Sequence, residues 1–168
     1  MIRVAGIFLL LAITLSSSNA ISGGKDQIYR YADLVSGSEL QLDINKMEVT
    51  IDSHSVFDVQ GCKSSQKYMC IISTGFYIVF PIGKIYDGMS WEYGGRQFKV
   101  VKKTNRKLLG KMYMAFLIQY QEGSDKYWYL FSQEAGLLAL GMLNHRAIST
   151  FILQEECGFA SSSTCKNH

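Results

Sequence analysis

Ser38–Asp52 reads SELQLDINKMEVTID, and its alternation decides the fold. Leu40, Leu42 and Ile44 alternate with Glu39, Gln41 and Asp43, the period of a half-buried strand. The phase then slips, and Met47, Val49 and Ile51 alternate with Glu48 and Thr50. A two-residue turn at Asn45-Lys46 accounts for the slip. It sets Ile44 opposite Met47, Leu42 opposite Val49 and Leu40 opposite Ile51, all on one face. Asn suits the first turn position; Lys is a weaker choice for the second. A bulge in one long strand is the alternative.

The same reasoning applies to MSWEYGGRQFKVVK, Met89–Lys102. Gly94-Gly95 can take the positive φ angles of a tight hairpin turn. Pairing across it places Tyr93 opposite Arg96, Trp91 opposite Phe98 and Met89 opposite Val100 on one face. Glu92, Gln97, Ser90 and Lys99 then share the solvent face. Other stretches are apolar at nearly every position: CIISTGFYIVF, MYMAFLIQY, KYWYLF and GLLALGML. Their shortness and their β-branched and aromatic content predict strands buried on both faces. SQEAG joins the last two as a third hairpin, and RAISTFILQEE reads as a final strand.

Doubly apolar strands need a cover, and one segment has a helical period. In DQIYRYADLVSG, Ile28, Tyr31, Ala32 and Val35 fall at i, i+3, i+4 and i+7, and Gly37 can stop the helix in a left-handed cap. The expected fold is therefore β-rich (α+β): an antiparallel sheet or small barrel built from hairpins, with one short N-terminal helix.

The first twenty residues, MIRVAGIFLLLAITLSSSNA, carry one basic residue, Arg3, and an apolar run from Val4 to Leu15. Small side chains follow at Ser18 and Ala20. This pattern predicts a signal peptide over 1–20, cleaved after Ala20, and a single β-rich domain over 21–168. The run is shorter than the roughly 20 apolar residues of a membrane-spanning helix. The chain has 17 basic and 14 acidic residues; removing the leader takes Arg3 and no acid, leaving a net charge of +2. Such a balance does not point to nucleic acid.

An exported chain meets an oxidising compartment, where four cysteines predict two disulfides. Three pairings are possible. Cys62 with Cys70 and Cys157 with Cys165 is favoured, because both loops are short and alike. A redox site would want Cys-x-x-Cys, and a zinc site would want histidines at ligand spacing; His54, His145 and His168 are scattered. No metal and no cofactor are expected.

From Tyr93 to Gln121 the chain holds seven basic residues and no acid. KKTNRK, Lys102–Lys107, reads as a loop between strands. Trp91 and Tyr93 sit beside a tight turn, where exposure is expected. Together Trp91, Tyr93, Arg96, Lys102, Lys103, Arg106 and Lys107 form the candidate partner-binding surface. It would meet a protein or an anionic envelope component.

Catalytic motifs are absent: no Gly-x-Ser-x-Gly elbow, no His-Glu-x-x-His and no phosphate-cradling glycine loop. The leading expectation is an exported non-enzymatic binding protein, a periplasmic inhibitor or immunity-type protein acting by surface complementarity. Two alternatives stand beside it. One is a small secreted hydrolase using Asp52 and His54, which a strand would point to one face. The other is a structural envelope component, dimeric through an apolar sheet face.

Overall fold

The alternation across Ser38–Asp52 sets the register. Strands β2 (Glu39–Asp43) and β3 (Glu48–Ile51) pair antiparallel, with Leu40 opposite Ile51 and Leu42 opposite Val49. The turn differs in detail, since the left-handed residue is Met47 (φ 56°) rather than Asn45. Asp43 is the cause. Its Oδ1 accepts the backbone N–H groups of Asn45 and Lys46 at 3.0 Å each, leaving the positive φ to the turn's last residue.

The second hairpin follows the sequence closely. β7 (Ser90–Tyr93) pairs with β8 (Arg96–Leu108), setting Trp91 opposite Phe98 and Tyr93 opposite Arg96. Gly94 and Gly95 take φ 60° and 74°. β9 (Lys111–Glu122), β10 (Asp125–Ser132), β11 (Gly136–Leu143) and β12 (Ile148–Leu153) continue the antiparallel succession. The computed structural model describes residues 27–62, 67–74, 77–143, 148–162 and 165. The signal peptide read at 1–20, His145 and His168 lie outside them.

The expected N-terminal helix is instead a strand. β1 (Ile28–Asp33) pairs with β2 on one side and β12 on the other, and no helix occurs among the described residues. The helical stripe rested on four residues, and one of them, Val35, is 87% exposed. Ile28, Tyr29 and Tyr31 favour strands, and pairing on two sides outweighs so short a periodicity. Gly37 does take a positive φ of 74°, but in the β1–β2 turn, where its N–H donates to the Asp33 carbonyl at 3.0 Å.

One antiparallel sheet holds ten strands in the order β4-β3-β2-β1-β12-β11-β10-β9-β8-β7, where β4 is Ser55–Asp58. Its ends, β4 and β7, are not paired to each other, so the hydrogen bonding does not close a barrel. β5 (Tyr68–Ile72) and β6 (Tyr77–Pro81) form a separate two-stranded hairpin. This hairpin, and not a helix, is the cover that the apolar sheet requires. Phe80 stacks on Phe131 of β10 with ring centroids 4.2 Å apart and meets Tyr129 edge-on at 6.0 Å. Two hydroxyls clamp its backbone. The Tyr77 N–H donates to Tyr120 Oη at 3.0 Å, and the Tyr129 hydroxyl donates to the Tyr77 carbonyl. Burial pushes both phenols up, Tyr120 to about 12, so they remain neutral hydrogen-bonding groups.

Both disulfides are local. Cys62–Cys70 spans Cα atoms 5.0 Å apart and ties the chain leading into β5 to β5 itself. Cys157–Cys165, at 5.8 Å, pins the C-terminal segment against the β10–β11 turn, where Gly158 N–H donates to Ala135 and Leu137 N–H to Phe159, both at 2.8 Å.

Substituting Tyr129→Phe strips the donor from the Tyr77 carbonyl, and we expect a loss of about 1–3 kcal/mol in urea unfolding. Tyr120→Phe should cost a similar amount. Tyr86→Phe, on a side chain 59% exposed, should change stability by no more than about 0.5 kcal/mol. Equal effects at all three positions would refute the clamp.

Candidate functional site

KKTNRK is not a loop. It lies inside the 13-residue strand β8 and pairs with β9, from Lys102 opposite Leu117 to Lys107 opposite Met112. It looked loop-like because it is polar on both faces. A bulge between Val100 and Lys102 marks the change: Phe98 and Val100 are wholly buried before it, and the strand is largely exposed after it. The hairpin reverses at Leu109 and Gly110, with φ 49° and 81°.

β7 covers only the first part of β8. Its register runs from Arg96 to Lys99, with one further bond from Val100 N–H to the Met89 carbonyl at 2.8 Å. From Val101 to Leu108 the outer edge of β8 has no strand partner among the described residues. An open edge invites pairing with another chain, and charged side chains guard against it.

Five cations line this arm: Lys99, Lys102, Lys103, Arg106 and Lys107, all exposed. None has an acidic partner within 4.0 Å among the described residues. Cross-strand pairs share a face. Lys103 and Lys107 therefore lie beside Met112 and Met114, which are 60% and 45% exposed. Lys102 and Arg106 lie on the opposite face. The tip residue Leu109 is 54% exposed.

The aromatic part of the expected surface is packed inward. Trp91 is buried and stacks on Phe98, centroids 5.6 Å apart and planes 4° apart. Its register opposite a core phenylalanine decides this, and nearness to the turn does not. Tyr93 is half-buried and meets Tyr68 edge-on at 5.6 Å. Arg96 lies 3.5 Å over the Tyr77 ring and pairs with Glu122, whose hydrogen bond raises the guanidinium pKa. The structure thus groups the four cations Lys102, Lys103, Arg106 and Lys107 and separates them from the three packed residues.

Asp52 and His54 do not form a dyad. Asp52 and Ser53 adopt φ 51° and 58° in the β3–β4 turn. The Asp52 carboxylate accepts the Glu39 N–H at 2.8 Å, while the exposed His54 ring contacts the Asp52 backbone carbonyl. The strand geometry that would have aligned them ends at Ile51. No group of three or more metal-ligating side chains occurs among the described residues.

A second feature was not legible in the sequence. A cavity of about 450 Å³ lies between the sheet and Ser73-Thr74 at the end of β5, bordered by Leu40, Tyr129, Leu140 and Phe151 among others. Alternation identifies which side chains face inward but not whether the opposing layer fills the space. Asp33 stands at its edge, 7% exposed. Its Oδ1 accepts the N–H groups of Val35 and Ser36 at 2.9 and 2.8 Å and the Ser36 hydroxyl at 3.0 Å. Its Oδ2 accepts the Thr150 N–H at 2.8 Å. These donors, led by Ser36 and Thr150, lower the carboxyl pKa to about 2.

No protein-family model matches the chain, and neither a curated protein nor a solved structure matches it.

Because the Asp33 pKa is depressed on folding, its contribution is present above the unfolded value near 3.8 and is lost as pH falls through about 2. Asp33→Asn sets an amide donor against the Thr150 N–H. We expect it to cost about 2 kcal/mol at neutral pH. The gap from wild type should shrink between pH 4 and pH 2 in denaturant melts, as expected from this carboxyl's titration. A gap independent of pH would refute the ionic role.

Proposed function

We propose that this chain is an exported, non-enzymatic binding protein that captures an acidic protein partner with the β8–β9 arm, in the manner of a periplasmic inhibitor or immunity-type protein. The observation that carries this reading is the set of exposed cations on β8 that have no acidic partner and no outer strand among the described residues. Four cations elsewhere are engaged, Arg30 with Glu155, Lys46 with Asp43, Arg96 with Glu122 and Lys111 with Glu134, whereas Lys84 and Lys126 stand singly rather than in a cluster. A cluster of like charge on a protruding hairpin focuses the field outward and speeds encounter with an acidic surface. Met112, Met114 and Leu109 add exposed apolar contact between and beyond the charges, and methionine adapts its shape to a partner. Trp91 and Tyr93, buried and half-buried, do not offer such contact. The two local disulfides suit an oxidising compartment.

Reversal of Lys102, Lys103, Arg106 and Lys107 to Glu tests the reading. Wild-type protein should retain an acidic partner from a periplasmic or secreted fraction, with affinity falling steeply as salt rises. The reversed protein should bind that partner at least about tenfold more weakly. Its unfolding midpoint should stay close to wild type, since these side chains are exposed. Undiminished binding by the reversed protein, or binding insensitive to salt, would overturn the proposal.

A further inference from the structure

We infer that the cavity between the sheet and Ser73-Thr74, just past the end of β5, is a binding site for an uncharged, largely apolar small molecule bearing a hydroxyl or carbonyl group. The inference is independent of the cationic arm, which shares no residue with the cavity. The volume of about 450 Å³ falls within the range of small-molecule sites. It would hold about 15 waters at liquid density, against walls that offer them few partners. Leu40, Leu140 and Phe151 come from three strands, Tyr129 comes from a fourth, and all face the same space.

The lining chemistry selects the ligand's charge. Among the described residues no lysine, arginine or histidine borders the cavity, and Asp33 is the one charged side chain. An anionic ligand would meet that carboxylate with no cation to offset it. A cationic ligand would need the carboxylate free, yet its two oxygens already accept four hydrogen bonds from Val35, Ser36 and Thr150. A neutral molecule has neither conflict.

The lining also supplies orientation. The hydroxyls of Ser38, Ser73, Thr74, Ser149 and Tyr127 border the cavity, and none makes a hydrogen bond among the described residues. Ser73 is only 6% exposed. Ser73 and Thr74 follow β5 on the covering hairpin, whereas Ser149 and Tyr127 belong to β12 and β10 of the sheet. A ligand hydroxyl or carbonyl at this rim would gain partners from both layers, while its apolar body displaces water from the aromatic and leucine floor.

Two fluorescent probes that differ only in charge test this. N-phenylnaphthylamine is neutral; its sulfonated analogue, anilinonaphthalene sulfonate, carries the same rings and an anion. Full-length mature protein should bind the neutral probe saturably, one per chain, with a rise in unfolding temperature. The sulfonate should bind at least about tenfold more weakly, since no cation lines the cavity among the described residues. Ser149→Trp and Thr74→Trp each place a large side chain at the rim. Whichever variant keeps the wild-type unfolding midpoint should lose about tenfold or more in affinity for the neutral probe. No saturable uptake, as expected if the chain's own residues fill the space, would overturn the inference. So would equal binding of the two probes, or undiminished binding by a folded rim variant.

Discussion

Ten strands become one sheet at a single seam, the antiparallel pairing of β1 with β12. Tyr31 lies opposite Leu153, Ala32 opposite Ile152 and Asp33 opposite Phe151. Without it, the β4-β3-β2-β1 group and the β12-to-β7 group would each end on an open apolar strand. Bringing such distant residues together costs chain entropy, and the seam is correspondingly dense in bonds. The Tyr31 hydroxyl donates to the Leu137 carbonyl at 3.2 Å and accepts the Phe159 N–H at 3.3 Å. Leu34 N–H reaches the Thr150 carbonyl at 3.0 Å, and Arg30 reaches Glu155 at 3.0 Å. The Asp33 carboxylate closes one end by holding the Thr150 N–H. The cavity straddles the seam, with Leu40 and Asp33 on one side and Ser149 and Phe151 on the other.

A sheet joined in this way still exposes its inner face unless something lies on it, and β5–β6 does so. The hairpin is itself apolar on both sides: Ile78, Val79 and Phe80 are all buried. The tyrosine clamp aligns it by its backbone, so its position does not rest on side-chain packing alone. The Cys62–Cys70 bridge restrains the segment that leads into it. Phe80 packs against Phe131 and Tyr129, and the cavity opens on the side of Tyr129 that faces Ser73 and Thr74. The same hairpin therefore seals one part of the inner face and roofs the cavity over another.

Charge follows the edges of the sheet. The bulge at Val100/Lys102 carries β8 past the end of β7, and from there its backbone has a partner on one side only. Lysine and arginine at that stretch discourage a second copy from adding a strand, and they are also what gives the arm an anion-seeking field. Trp128, on the other hand, shows how tightly neighbouring strands can be fitted: a Cβ on Gly141, its cross-strand partner, would fall 2.3 Å from the indole. Only glycine admits the ring there.

Hairpin registers were legible because they depend on neighbours in the chain. Alternation placed Leu42 opposite Val49 and Trp91 opposite Phe98, and glycines at 94 and 95 supplied the turn. The local cysteine pairing was legible for the same reason. The reading failed at Ile28–Asp33, which became a strand because β12, more than a hundred residues on, pairs along one side of it. The other two failures were local: KKTNRK pairs with β9 across the next turn despite its polarity, and Trp91 stacks on Phe98 across its own hairpin despite its nearness to the turn. By itself, then, the sequence determined most of the strands, their hairpin pairing, the disulfide loops and the location of positive charge. Only the tertiary structure decided how the two strand groups join, what covers the inner face, which cations remain unpaired and where the packing leaves a cavity. Alternation and turn chemistry act over a few residues, whereas these outcomes depend on surfaces more than a hundred residues apart meeting at the seam, as the separation of 117 between Asp33 and Thr150 illustrates.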